Sequence, residues 1–203
     1  MAITNGYTSL AVYKQRFYDE GQGDTKDDAA IEAVIEAVSR SIDNICWRRF
    51  YAATETRYYT AEQRDTLIVD DLLSVSTDGF TTDEDGDRVY EITWATTDYD
   101  LMPFNAVLDG VPYRSLVLTP EGDYWIPTIS KGVKLTGSFG YSATTPPAIE
   151  DACLLASHRL MARRNTPLGV SGAAAVGNLT VTVTKMKADP EIMEMLTPYM
   201  LRY

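Results

Sequence analysis

Two stretches of the chain place their apolar residues at helical spacing. The first predicts a helix from Asp27 to Cys46, and the second predicts a helix from Ala148 to Arg164 that follows Pro147. The apolar positions of the first are Ile31, Ile35, Val38, Ile42 and Ile45, and those of the second are Ile149, Cys153, Ala156 and Leu160. We expect these two apolar sides to pack against each other.

Shorter helical patterns lie near both ends of the chain. Thr8 is the predicted N-cap of a helix that ends at Tyr18, and Thr25 with Asp28 approximates a capping box for the long helix. Near the other end, Asp189 and Pro190 predict the start of a last helix. Its apolar stripe consists of Ile192, Leu196 and Tyr199.

Between the two long helices the apolar period changes from helical spacing to two, which predicts short antiparallel strands. The predicted strands cover residues 56–60, 66–69, 89–94, 115–118 and 133–141, and residues 78–87 are expected to form a long loop. After a Gly- and Ala-rich stretch, Leu179, Val181 and Val183 alternate with threonines. This second alternation predicts an isolated strand or arm.

These patterns together predict an α+β fold. We expect a helical bundle-like domain of about four helices with an inserted small antiparallel β module and a C-terminal arm plus helix. The expected boundaries are residues 1–52 with 146–170 for the helical domain, 53–145 for the β-rich insert, and 171–203 for a flexible loop, β arm and C-terminal helix.

The negative charge is concentrated in the insert. The whole chain has a formal net charge of −11, and between Glu62 and Asp100 twelve acidic residues face only Arg64 and Arg88. Such a surface repels a phosphate backbone, because affinity for nucleic acid depends on Lys and Arg contacts. Specific nucleic-acid binding through the insert is therefore not expected.

Targeting signals and membrane-spanning patterns are not evident in the sequence. The first thirty residues have no basic start followed by an apolar run, and no uncharged apolar stretch approaches the roughly 20 residues that span a bilayer. We expect a soluble protein of the cytoplasm with no membrane partner. Cys46 and Cys153 are expected to be small, buried, reduced thiols.

The residue types and spacings do not match a catalytic, metal or nucleotide site. His158 is the only histidine, and Cys153, five residues earlier, would lie about 140° away around a helix. The acidic run from Asp83 to Asp87 favours a hairpin turn over a calcium loop, because its glycine is misplaced and the twelfth-position glutamate is missing. We therefore expect neither an enzyme nor a bound cofactor.

Several sequence blocks occur in an order and spacing found in one known family. The blocks run over residues 41–51 (SIDNICWRRFY), 69–75 (VDDLLSV), 137–141 (GSFGY) and 147–170, which begins PAIEDAC. In this arrangement the chain resembles the head-tail connector (adaptor, head completion) proteins of long-tailed bacteriophages. The likeness extends from about residue 25 to the last residue, and its blocks consist of turn, cap and core positions.

The resemblance implies a structural virion protein. It implies an oligomeric ring, twelvefold to match the portal, between the portal and the next neck protein (the stopper). DNA would pass through the ring channel as cargo without specific binding. The protein would occupy the head-tail junction of the virion, and the host cytoplasm during virion assembly. A monomeric β-type binding module, for carbohydrate or tail attachment, is the alternative.

Three groups of residues are candidates for contacts in such a ring. Arginines at helix ends are candidate subunit contacts, although the same positions also suit interaction with helix C-terminal carbonyls. These are Arg48, Arg49, Arg163 and Arg164. The candidate portal-docking residues are Leu179, Val181, Val183, Ile192, Leu196, Tyr199 and Tyr203. The candidate acidic residues near the channel are Asp83, Glu84, Asp85 and Asp87.

Overall fold

A computed structural model describes residues 3–18, 25–120, 125–163 and 189–201. The chain divides into two compact units, Met1–Arg48 with Thr145–Tyr203 and Arg49–Thr144, called here the helical unit and the sheet unit. Among the described residues, no helix is long and apolar enough to cross a membrane. The elements in chain order are α1 (Leu10–Phe17), α2 (Asp28–Cys46), β1 (Ala53–Tyr59), β2 (Thr66–Thr82), β3 (Ile92–Thr93), β4 (Tyr99–Met102), α3 (Ala106–Asp109), β5 (Tyr113–Leu118), β6 (Val133–Phe139), α4 (Pro147–Arg163) and α5 (Pro190–Leu196), followed by a 3-10 turn, Thr197–Tyr199.

The helical unit is organised by the packing of α2 on α4, as the apolar spacing predicts. The α2 positions Ile31, Ile35, Val38 and Ile42 are all buried. Small polar groups also lie at the contact, where the Ser39 Oγ is 3.5 Å from the Cys153 Sγ. The assignment of Leu160 to this apolar side is wrong, because its side chain is 43% exposed.

Of the three predicted N-terminal caps, the structure confirms one. Helix α1 begins one residue later than predicted, because Ser9, and not Thr8, accepts the Val12 N–H at 3.2 Å. The predicted capping box of α2 is also wrong, since Asp27 occupies the N-cap and makes no side-chain cap. The prediction for α5 is confirmed, with Asp189 at the N-cap and proline in the first turn.

The sheet unit contains one six-stranded antiparallel sheet with the strand order β1-β6-β2-β5-β4, and β3 pairs with the end of β2. Strand β6 is central and alternates as predicted: Val133, Leu135 and Phe139 are fully buried. Together with residues from β2, β4 and β5 they form a separate hydrophobic core of this unit. The first and last parts of the unit meet, since the Tyr141 N–H donates to the Arg49 carbonyl at 2.8 Å.

Strand β2 is much longer than the predicted residues 66–69. It covers 17 residues and enters the segment expected to be a loop. Its pairing with β6 is irregular, because residues 76–79 lie between the pairs Val75↔Gly137 and Phe80↔Leu135 and face a single residue of β6. Such a bulge hides the period of two, so the continuation of the strand is not visible as an alternating pattern.

The prediction of a helical bundle-like domain carrying a small β module is therefore wrong. In the described part of the chain, the sheet has six strands and a hydrophobic core of its own, and it is a principal part of the fold beside five α-helices. The error arises from β2, where adjacent aspartates interrupt the apolar pattern, and from β4, which has only four residues.

Gly140 packs against the backbone of Tyr51, where the first and last parts of the sheet unit meet. Its replacement by alanine should destabilise the unit. Its φ is 143°, and an added Cβ would lie 2.2 Å from the Tyr51 carbonyl oxygen. Gly110 is a matched control, with φ of 65° and no atom within 4 Å of an added Cβ. We expect Gly140→Ala to lower the free energy of unfolding by roughly 3 kcal/mol or more, and Gly110→Ala by roughly 1 to 2 kcal/mol. Urea unfolding of both variants checks this, and equal losses would contradict the steric account.

Candidate assembly surfaces

Arg49 is held by groups of its own sheet unit. Its Nη1 lies 2.6 Å from Glu55 Oε1, its Nη2 donates to the Phe139 carbonyl at 3.0 Å, and its guanidinium lies over the Tyr51 ring at 4.6 Å. The hydrogen bond from Arg49 is the main influence that holds the pKa of Glu55 below its usual value. The described contacts of Arg49 therefore stabilise the junction of β1 with β6.

Arg57 extends this arrangement along β1. Its guanidinium pairs with Glu55 at 2.8 Å and with Asp70 at 2.6 Å, and it lies over the Phe139 ring at 4.3 Å. This network was not predicted from the sequence. Its one sequence signal is the alternation of Glu55, Arg57 and Tyr59, which places these side chains on one face of the strand.

The other candidate arginines lie in the helical unit or outside the described residues. Arg48 follows Trp47, which ends α2 in the left-handed conformation, and Arg163 occupies the last turn of α4. Both side chains are half-buried. Arg164 lies outside the described residues. The candidate set is thus divided between two units, because Arg49 belongs to the sheet unit.

The acidic run after β2 folds into a turn built by carboxylates that accept backbone N–H groups. Asp83 is buried, and its two oxygens accept from Gly86 at 2.7 Å and from Arg88 at 2.9 Å. Asp85 and Asp87 accept from N–H groups two residues ahead. Burial opposes ionisation of Asp83, but these amides and the Arg88 charge outweigh it, so its pKa lies below the usual value.

The same turn brings three carboxylates close together, but their exposure differs. Oxygens of Asp83, Asp85 and Asp87 lie within 4.8 Å of one another, and those of Asp83 are used by the amides of the turn. Of the candidate residues near a channel, Glu84, Asp85 and Asp87 are exposed, whereas Asp83 faces the interior. The arrangement is that of an Asx-stabilised hairpin turn.

Helix α5 is anchored on the helical unit by its apolar side. Ile192 and Leu196 are buried, and Tyr199 is half-buried. Arg159 of α4 pairs with Asp189, and with Glu191 at 2.6 Å. The Leu201 N–H donates to the carbonyl of Cys46, the last residue of α2, at 2.9 Å. The candidates Leu179, Val181, Val183 and Tyr203 lie outside the described residues.

Cys153 and His158 have separate partners. The Cys153 thiol lies near the hydroxyls of Ser39 and Ser157, and burial raises its pKa, which favours the neutral thiol. His158 stacks on Phe17 with ring centroids 3.9 Å apart, and its Nδ1 lies 3.3 Å from the Tyr13 hydroxyl. These contacts hold both side chains within the helical unit. Both cysteines are free and buried.

Two apolar features of the sheet unit have no counterpart in the sequence analysis. The loop between β4 and β5 carries four exposed apolar side chains, Phe104, Val107, Leu108 and Val111. A recess of about 420 Å³ lies next to the start of β5, and residues of β2 and β4 with Thr96 and Tyr113 line it. Sequence patterns do not reveal either feature, because apolar residues are ordinarily assigned to the core.

The fold is similar to that of chains from gene transfer agent particles. Three solved structures match over 100% of this chain and 94% of theirs. They are the neck of an empty particle computed with C6 symmetry (15% identity, TM-score 0.59), the virion of a native particle (17%, 0.61) and the neck of a native particle computed with C12 symmetry (14%, 0.59). No family model and no curated protein matches the sequence. At these identities the likeness shows a shared fold.

We expect Asp83→Asn to lower stability in a pH-dependent manner. The lowered pKa of Asp83 means that the ionised carboxylate stabilises the folded state. This contribution is complete above its unfolded pKa of about 3.8 and is lost as the pH falls through the lower folded value. At pH 7 the variant should unfold at a lower urea concentration than the native chain. This difference in urea midpoint should become smaller below about pH 4.

The exposed Asp85 provides the control for this experiment. Asp85→Asn changes the same formal charge but leaves both carboxylate contacts of Asp83 in place. At pH 7, Asp85→Asn should lower the stability towards urea less than Asp83→Asn does. Equal losses for the two variants, or a gap that stays constant with pH, would contradict the assignment.

Proposed function

We propose that this chain is a head-tail connector adaptor, a structural virion protein that forms a ring between the portal and the next neck protein. The observation that carries the proposal is the fold match, which covers the whole chain and most of each matching chain in particle neck and virion structures. The sequence blocks that resemble phage adaptors point in the same direction. The role is architectural, and the chain is not an enzyme.

The ring would be twelvefold, the symmetry with which one of the similar necks was computed. Its subunits would meet head to tail, because a cyclic ring joins two different surfaces of each copy. The candidate subunit contacts in this proposal are the arginines at helix ends, Arg48, Arg49, Arg163 and Arg164, which would pair with acidic groups of a neighbour. Arg49 also pairs with Glu55 within its own unit.

The acidic sheet unit would border the channel through which DNA passes. The exposed carboxylates of Glu84, Asp85 and Asp87 project from one turn, and the segment around them has twelve acidic residues against two basic ones. Like charges repel the phosphate backbone, so DNA would move through the ring without adhering to it. The protein would thus act in the virion at the head-tail junction, after assembly in the host cytoplasm.

Contact with the portal would use the C-terminal segment. Ile192 and Leu196 are committed to the core of the helical unit, so α5 would position the docking residues and not supply them. The alternating residues Leu179, Val181 and Val183 remain the apolar candidates, together with Tyr199 and Tyr203. The alternation predicts a strand here, and a strand would suit pairing with the edge of a partner sheet.

Ring formation is tested with the purified chain and the portal protein of the same genome. Mass photometry should detect a ring, or single copies that the portal recruits in multiples approaching twelve. Cryo-electron microscopy of the complex then places the sheet unit relative to the channel. A chain that stays monomeric and does not bind the portal or another neck protein would refute the proposal and favour a monomeric binding module.

The docking segment is tested by two matched double variants. The first variant, Val181→Asp with Val183→Asp, places two negative charges at apolar positions of the alternating segment. The second, Thr180→Asp with Thr182→Asp, places the same charge at its threonine positions. We expect the first to lower portal affinity at least tenfold, equivalent to about 1.4 kcal/mol, and the second to lower it much less. Surface plasmon resonance on immobilised portal measures both. Equal effects would mean that the apolar alternation does not dock.

A further inference from the structure

A second recess of the sheet unit, called here the Trp125 recess, has a volume of about 390 Å³. Residues 125–129 line it, and Arg64 and Glu84 contribute from two other parts of the chain. Pro127 and Ile129 are half-buried and make part of the wall apolar. The recess thus combines a large aromatic ring, two opposite charges and apolar surface, which is the composition of a ligand site.

The backbone around the Trp125 recess is held by hydrogen bonds. The Ile126 N–H donates to the Arg64 carbonyl at 2.9 Å, and the Ile126 side chain is fully buried. The Arg88 guanidinium donates to the Ser130 carbonyl, which ties the acidic turn to the end of the lining segment. The aromatic and acidic side chains of the recess therefore project from ordered supports, and this lowers the entropic cost of binding.

The functional side chains of the Trp125 recess are not used by the described part of the fold. Trp125 is 61% exposed, and its ring has no ring contact or hydrogen bond with a described residue. Arg64 and Glu84 are exposed, and their side chains form no ion pair or hydrogen bond with a described residue. Arg57 of the same unit, by contrast, pairs with two carboxylates and covers an aromatic ring. The recess thus offers binding groups for a ligand.

The charge around the Trp125 recess favours a cationic ligand. Arg64 is flanked in the chain by the exposed Glu62 and Asp65, and Glu84 is the first of three exposed carboxylates in its turn. The whole sheet unit, residues 49–144, has sixteen acidic residues against seven basic ones, a formal charge of −9. Such a field attracts cations and repels anions. An anionic ligand, which the guanidinium of Arg64 alone would suit, is therefore disfavoured.

Among cations, a guanidinium matches the Trp125 recess best. The face of a tryptophan ring attracts a cation that lies within about 6 Å of its centroid. A planar guanidinium can stack on the ring while its fork of N–H groups pairs with a carboxylate, whereas an ammonium is a point charge without this fork. Arg64, which has only donors, is suited to the backbone carbonyls of a bound segment. These groups together fit an arginine presented on a peptide segment.

We propose that the Trp125 recess binds an arginine side chain from a basic segment of a partner protein. The guanidinium of the partner stacks on the Trp125 ring and pairs with the Glu84 carboxylate. Charge complementarity selects the partner, because the acidic sheet unit attracts a basic protein and repels the sheet unit of another copy. The inference does not depend on ring formation, and it assigns a partner chemistry beyond the adaptor proposal.

NMR titration of the full chain with the peptide acetyl-Gly-Arg-Arg-Gly-amide tests the site. The chain has three tryptophans, and Trp125→Phe assigns the indole N–H signal of Trp125. We expect this signal to shift progressively with the arginine peptide, less with the corresponding Lys-Lys peptide, and not with the Glu-Glu peptide. No shift with the arginine peptide would overturn the proposal, and so would an equal shift with either of the other two.

A matched pair of carboxylate variants separates a site from the general attraction of cations to an acidic surface. Glu84→Gln removes the carboxylate of the Trp125 recess, and Glu91→Gln removes the same charge at an exposed position of the sheet unit outside the recess. We expect Glu84→Gln to raise the Kd of the arginine peptide about threefold and Glu91→Gln to leave it nearly unchanged. Equal effects of the two variants would overturn the pairing with Glu84.

The two exposed tryptophans provide a second matched pair. Trp125→Ala removes the ring of the recess, and Trp47→Ala removes a ring that is 72% exposed in the helical unit. With the backbone amide signals of Gly86 and Ile129 as the readout, we expect only Trp125→Ala to weaken binding of the arginine peptide, by about fivefold. Unchanged affinity of Trp125→Ala would overturn the stacking.

A dilution series of the chain without peptide tests whether a second copy occupies the Trp125 recess instead. We expect the indole signal of Trp125 to keep its position as the protein concentration is raised, because the sheet units repel each other. A shift that depends on protein concentration and is removed by Glu84→Gln would assign the recess to a second copy of the chain. That result would overturn the proposal of a different, basic partner.

Discussion

The pairing of β2 with β6 is the constraint on which the sheet unit depends. Strand β6 lies between β1 and β2, and β2 also pairs with β5 and β3, so three neighbouring strands take their positions from these two. Both contribute fully buried residues to one core, with Leu72 and Phe80 facing the same interior as Leu135. The register of β2 against β6 shifts between Val75 and Phe80, and β2 pairs with β6 on both sides of this shift.

The sequence predicted those elements whose burial is one-sided and regular. The patterns that predicted correctly are the isoleucine spacing of α2, the alternation of β6 and the Asp189-Pro190 start of α5. Each depends on residues that are close together in the chain. Strand β2 escaped prediction because its pairing partner, and not its own composition, keeps residues after Asp70 and Asp71 extended. Strand β4 was too short to show a period, and it pairs only with β5. Non-local pairing therefore accounts for the underestimate of the sheet.

The candidate sites show the same division between local and non-local information. The acidic hairpin turn was predictable, because Asp, Gly and Asp at close spacing favour backbone N–H acceptance within a few residues. The partners of Arg49 and Arg57 were not, since Glu55, Asp70 and the Phe139 carbonyl come together only when β1 lies beside β6. The exposure of the β4–β5 loop was also inaccessible to pattern analysis, which reads valine and leucine as interior residues.

The two ends of the sheet unit lie side by side. The Tyr141 N–H donates to the Arg49 carbonyl, and Ala53 pairs with Phe139. A segment whose ends meet can be treated as a cassette, because the rest of the chain needs only two adjacent attachment points. Recombination could replace such a cassette without changing the register of α2 against α4.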